Sequence, residues 1–151
     1  MNPQTQMSPR VILVIEDAPL VGRLLSLNLG RAGFAVHVAA DGETGVRLAR
    51  ALRPHLILTD IFMPGLDGIE VGRRIRSDPA LCQIPIFTMT VCATPEVRAR
   101  VQAADLLGPL QKPLDLEALP RQIAEWIMTP ADGPEEQSAT PPDEHPPAQS
   151  R

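Results

Sequence analysis

The chain has 151 residues, of which 44% are apolar, 3% aromatic and 21% charged, which is room for one globular domain and a little more. Its longest apolar run, Val11–Ile15, falls far short of the roughly 20 residues of a membrane helix, and Met1-Asn2-Pro3-Gln4 lacks the basic and apolar regions of a signal peptide, so the expectation is a cytoplasmic protein with no membrane partner. The formal charge of −4 resides in residues 129–151, the remainder being balanced with no basic face for a nucleic acid, and two cysteines, Cys82 and Cys92, are too few for a disulfide framework or a structural zinc site.

Residues 1–9, with Pro3, Ser8 and Pro9, read as a flexible lead. Val11–Ile15 is a continuous β-branched run suited to a strand buried on both faces, and Asp17-Ala18-Pro19 follows with an acid at the N-cap and proline near the first helical position. The helix extends to about Arg31 with Leu20, Leu24, Leu25, Leu27 and Leu29 as its apolar side, and Gly33 ends it before a second strand, Phe34–Ala39. Asp41 opens a helix through Val46, Leu48, Ala49 and Leu52, closed by Pro54. Leu56, Ile57 and Leu58 form a third strand ending at Thr59-Asp60; Pro64-Gly65 and Asp67-Gly68 mark the loop before a helix from about Ile69 to Arg76. Pro85–Met89 reads as a fourth strand, and Thr94-Pro95-Glu96 caps a helix through Val97 and Val101. A weaker fifth strand lies near Leu110, and the last helix ends near Met128, with Pro120 tolerated in a first turn beginning near Glu117. Residues 129–151 hold six of the seventeen prolines and no Leu, Ile, Val or aromatic residue, the composition of a disordered tail.

Five βα units of this spacing predict an α/β fold: a doubly wound, five-stranded parallel sheet with helices on both faces, spanning residues 10–128. In such sheets ligands bind beyond the carboxyl ends of the strands. Glu16 and Asp17 stand at the first of those ends, Asp60 at the third, Thr90 at the fourth and Lys112 at the fifth. Three carboxylates brought together repel; they either raise a pKa or bind a hard cation, and Mg²⁺, which takes carboxylates, water and phosphate oxygens, fits best. Asp60 is then placed to act as nucleophile toward a phosphoryl group, with Thr90 donating to one phosphoryl oxygen and Lys112 neutralising another.

Glu16-Asp17, the run Asp60-Ile61-Phe62-Met63-Pro64-Gly65-Leu66-Asp67-Gly68, Thr90 and Lys112-Pro113 together resemble the signature of the response-regulator receiver domain of two-component signalling. The resemblance implies a flavodoxin-like, CheY-like fold, Mg²⁺ held by Glu16, Asp17, Asp60 and the Phe62 backbone carbonyl, and transfer of phosphate to Asp60 from a sensor histidine kinase or phosphotransfer protein. Pro113 completes the motif as a structural residue. It also implies a signalling module and not an enzyme, and with nothing after Met128 able to fold into an output module the expectation is a single-domain regulator acting through a partner protein, a homodimer among the possible forms.

Single pieces have plainer readings: Asp17 as a helix cap, Pro64-Gly65 as turn residues, Asp67-Gly68 as turn and helix cap, Thr88 as a β-former filling its strand, and Phe62 as either a shield over the acceptor or an exposed rim residue. Lys112 is the only lysine against thirteen arginines, which singles it out. Val91 stands where the family commonly has alanine, implying narrower access. Pro109 stands where it commonly has an aromatic, implying that the switch is read instead through the Thr90–Thr94 loop and its helix, with Val97 and Val101 either available to a partner or, at one position at least, plain core. A phosphatase of the aspartyl type would need an acid where Phe62 stands, and a dinucleotide-binding domain a glycine-rich turn where Glu16-Asp17-Ala18-Pro19 stands. The alternative kept open is a receiver-like binding module that docks without phosphorylation.

Overall fold

The computed structural model describes residues 8–128. The expectations for most of the lead and for the tail lie outside the described residues. The chain divides into two units, Met1–Pro120 and Arg121–Arg151. The first holds five strands, β1 (Val11–Ile15), β2 (Ala35–Ala39), β3 (Leu56–Asp60), β4 (Ile86–Thr90) and β5 (Leu107–Gln111). Alternating with them are α1 (Pro19–Arg31), α2 (Gly42–Leu52), α3 (Gly68–Arg76) and α4 (Pro95–Ala103); α5 (Leu119–Met128) crosses the division. The strands form one parallel sheet in the order β2-β1-β3-β4-β5, the doubly wound fold expected from the pattern.

The three central strands read as nearly unbroken apolar runs because both faces are covered. Leu13, Ile15, Ile57 and Ile86 join Val46 and Ala49 of α2, Ile69 and Ile75 of α3 and Val101 of α4 in one core. Ile12, Val14, Leu56 and Leu58 alternate to the opposite face, where α1 lies close enough to β2 that a Cβ on Gly22 would meet Val38 Cγ1 at 3.0 Å. Fully burying one such aliphatic side chain contributes about 1.5–3 kcal/mol. Gly33 follows α1 with φ +102°, the left-handed conformation glycine adopts without steric cost.

Several local expectations are corrected. The N-cap of α1 is Ala18, which makes no side-chain cap, so Asp17 is not a helix cap and its carboxylate stays free for other work. Of the five leucines assigned to the apolar side of α1 only Leu25 and Leu29 are buried; Leu20, Leu24 and Leu27 are 70%, 50% and 55% exposed. The helix carries leucine on two opposite faces, a pattern that periodicity alone could not divide. Val97 and Val101 are both buried core and neither is available to a partner, because α4 turns this side onto the sheet. The fourth strand runs to Thr90 and not Met89, and α3 starts at Gly68 and α5 at Leu119. Pro109 is accommodated inside β5 where the β4–β5 register shifts between Phe87 and Met89. β5 is an edge strand, the place where a missing N–H costs least.

Candidate functional site

Parallel register assembles the site. Ile15 is level with Thr59, so Glu16 lies beside Asp60; Asp60 is level with Met89 and Thr90 with Gln111, so Thr90 closes β4 one residue past the partner of Asp60, and Lys112 stands one residue beyond the end of β5. Backbone bonds continue the ladder past those ends: Ile61 N donates to Met89 O at 2.9 Å and Lys112 N to Thr90 O at 2.8 Å.

Carboxylate oxygens of Glu16, Asp17 and Asp60 lie within 4.8 Å of one another. Glu16 and Asp60 are buried and Asp17 is exposed at the mouth. Glu16 is held at both oxygens: Oε2 accepts from Ala18 N at 3.1 Å, and Oε1 accepts from Lys112 Nζ at 2.7 Å. The Lys112 ammonium also lies 3.4 Å from Asp60 Oδ2, bridging two carboxylates. Burial pushes the Asp60 carboxyl up to about 6, the negative charges of Glu16 and Asp17 push the same way, and Lys112 pulls against them. Burial of the Lys112 ammonium works to lower its pKa, but its hydrogen bond to Glu16 and the charges of Asp60 and Glu16 outweigh that and leave it raised, so it is a fixed positive charge. The cluster has three acids against one base, an excess of negative charge in a partly dry cleft.

Thr90 is buried at the end of β4, its Oγ1 accepting from Cys92 N at 3.1 Å. Thr88 Oγ1 instead donates to Leu107 O at 2.9 Å, the structural role expected of it. Phe62 is 49% exposed and Val91 is 70% exposed, so neither is buried over Asp60. Pro113 directly follows Lys112.

The close packing at Gly68 was not apparent from the sequence, which marked it only as a turn residue. A Cβ there would lie 2.1 Å from the Asp60 carbonyl oxygen, and Gly68 N donates to Ile61 O at 2.8 Å, so the β3–α3 loop folds directly over the end of β3. Asp67 caps α3 by accepting from Glu70 N at 2.9 Å and pairs with Arg100 of α4 at 3.3 Å, which ties the loop to that helix. The sequence signal was a glycine at the first helical position directly after an aspartate cap, a place where any better helix former would otherwise serve.

A parallel α/β sheet with buried acids from two strands and a lysine from a third at its carboxyl edge defines a receiver-type architecture. Residues 12–124 match the response regulator receiver domain family, and the chain belongs to it. It is 37% identical over 110 residues to the DNA-binding dual master transcriptional regulator RpaA of Synechocystis sp., covering 72% of this chain and 45% of that protein. With the transcriptional regulatory protein AfsQ1 of Streptomyces coelicolor it shares 46% identity over 79 residues, 52% of this chain and 34% of that one. The chain thus spans less than half the length of both regulators. Among solved structures it resembles the chemotaxis protein CheY4 of Vibrio cholerae, with TM-score 0.74, 27% identity and coverage of 78% of this chain and 98% of that one. It also resembles the receiver domain of sensor histidine kinase PA1611 from Pseudomonas aeruginosa, with TM-score 0.74, 31% identity and coverage of 80% and 99%. That structure has a magnesium ion coordinated in its active site cleft. Among the described residues no helix is long and apolar enough to cross a membrane.

Proposed function

We propose that the chain is a phosphoacceptor switch in which Asp60 takes a phosphoryl group from a sensor histidine kinase or phosphotransfer protein in a Mg²⁺-dependent reaction, and that the phosphorylated form signals through a partner protein. The carrying observation is the convergence of Glu16, Asp17 and Asp60 oxygens within 4.8 Å of one another, with the Lys112 ammonium bridging Glu16 at 2.7 Å and Asp60 at 3.4 Å. This hard-oxygen set fits Mg²⁺: the residues to hold it are Glu16, Asp17 and Asp60, with the Phe62 carbonyl, two residues past Asp60, as the backbone donor. The ion supplies charge neutralisation of the carboxylates and of the incoming phosphoryl oxygens.

The chain's own residues do the rest. Above about pH 6 Asp60 is mainly ionised and nucleophilic even without a cation. One of its oxygens forms the P–O bond while the P–N bond to the donor imidazole breaks, the electron pair returning to the ring nitrogen. Lys112, already 3.4 Å from Asp60, is placed to take a phosphoryl oxygen as a compact cation. Thr90 donates its hydroxyl to another; drawing that side chain inward pulls on Cys92 N and hence on the loop that leads to Thr94, the N-cap of α4, whose Oγ1 accepts from Val97 N at 3.2 Å. The loop and α4 then carry the signal outward.

Incubating the full chain with acetyl phosphate and Mg²⁺ and weighing it intact tests this. One added phosphoryl group, lost on chelation of Mg²⁺ beforehand and absent from Asp60→Asn, is expected. No addition to the wild type, or equal addition to the variant, refutes it.

A further inference from the structure

The last carbonyls of β4 alternate in direction, as a strand between two neighbours requires: Met89 O accepts from Ile61 N on the β3 side, and Thr90 O from Lys112 N on the β5 side. Continued alternation would turn Val91 O back toward β3. It is held on the β5 side instead, where Gln111 Nε2 donates to it at 2.7 Å. The other neighbour of that nitrogen is Lys112 O at 3.4 Å; both are carbonyls, so only the N–H end of the amide fits there. Gln111 is level with Thr90 in the β4–β5 register, is exposed, and takes no part in the chemistry described above. Its side chain is what turns the chain off the strand at the first residue past Thr90.

We propose that Gln111 is a positioning residue for the switch, a stay that holds the β4–α4 loop in its resting place and that phosphorylation has to release. The inference rests on the phosphoacceptor reading and names what opposes the motion within it. Val91 lies between Thr90 and Cys92, whose N–H is bound to Thr90 Oγ1 at 3.1 Å. Asp60 ends β3, Gln111 ends β5, and β4 runs between them. A Thr90 hydroxyl turned toward a phosphoryl group on Asp60 therefore draws the loop toward β3, which is away from Gln111. The 2.7 Å bond has little slack, and a movement of about 1 Å carries it out of hydrogen-bond range. Once it is lost, the Val91 peptide is free to turn over and its carbonyl to resume the alternation of the strand. The stay amounts to one hydrogen bond between solvent-accessible groups, enough to bias the loop and too little to lock it. By linkage, whatever it adds to the resting form it subtracts from affinity for the phosphoryl group.

Beryllofluoride, which stands in for a phosphoryl group on a carboxylate, reads that affinity without a phosphodonor. In calorimetric titrations of the full chain with Mg²⁺ present, Gln111→Met and Gln111→Ala, which both lack the donor, should bind beryllofluoride about three- to tenfold more tightly than the wild type, the factor carried by one net hydrogen bond. Affinity for Mg²⁺ alone should change by less than about twofold, because the stay acts on the loop and not on the carboxylates. Thr90→Val, which keeps the shape but not the hydroxyl, should bind beryllofluoride more weakly. Adding Gln111→Met to it should alter the affinity by less than about twofold, since nothing then pulls on the loop. An affinity unchanged or weakened in the Gln111 variants, or an equal gain in the Thr90→Val background, overturns the stay while leaving Asp60 as the acceptor. A wild type that binds Mg²⁺ but no beryllofluoride overturns the phosphoacceptor reading, and the stay with it.

Discussion

Replacing the Asp60 carboxylate should make the metal-free protein more stable, not less. Moving Asp60 from its ordinary 3.8 to about 6 means that ionising it in the fold costs about 3 kcal/mol more than in the unfolded chain, at about 1.36 kcal/mol per pH unit. Between those values the folded state binds more protons than the unfolded one, so stability falls as pH rises through the window, and above pH 6 the loss is complete. Asparagine has the shape of the protonated acid and carries no charge. Asp60→Asn should therefore exceed the wild type by about 2–3 kcal/mol at pH 8, or roughly 5–10 °C in melting temperature, and by little at pH 4. Lys112 keeps Glu16 at 2.7 Å in the variant, so no buried ammonium is stranded. Urea titrations in chelator at both pH values read the two differences. A variant no more stable than the wild type at pH 8, or an advantage that does not shrink toward pH 4, would refute the view that burial, aided by the neighbouring carboxylates, makes ionised Asp60 costly in the fold.

Gly68→Ala should cost about 1–3 kcal/mol and slow phosphorylation of Asp60, since the new methyl meets the Asp60 carbonyl at 2.1 Å and the loop has to lift; unaltered melting and phosphorylation would contradict the close approach. Arg100→Ala removes an ion pair whose side chains are 45% and 31% exposed, so its effect on urea stability should stay below about 1 kcal/mol, and a larger loss would mean that the α4 link to Asp67 is structural. His55, whose Nδ1 accepts from Val11 N at 2.9 Å, is held below its ordinary pKa by burial and by the charge of Arg10. Its contribution is present above pH 6.5 and declines as pH falls, so the stability difference between wild type and His55→Gln should shrink on acidification; a constant difference would exclude that hydrogen bond as its source.

Much of this molecule was readable along the chain because its information is local. Short β-branched runs alternating with capped amphipathic stretches leave one arrangement, a parallel sheet with crossover helices, and that arrangement carries Glu16, Asp60, Thr90 and Lys112 to one edge whatever the details of packing. Even the capping at Asp41 and Thr94 is as the side-chain chemistry requires, each accepting from the backbone N–H three residues on. The unforeseen features depend on distances across the fold. That Lys112 bridges Glu16 and Asp60 is set by three strand registers together; that a side chain at Gly68 would meet the Asp60 carbonyl follows from where the β3–α3 loop lands. Which leucines of α1 face the core depends on how the helix is rolled on the sheet, since Leu20, Leu24 and Leu27 satisfy helical periodicity as well as Leu25 and Leu29 do. Sequence determined the elements and their chemistry; tertiary structure decided which apolar face was buried and which charges met, because burial and Coulomb energy depend on neighbours that lie far apart along the chain.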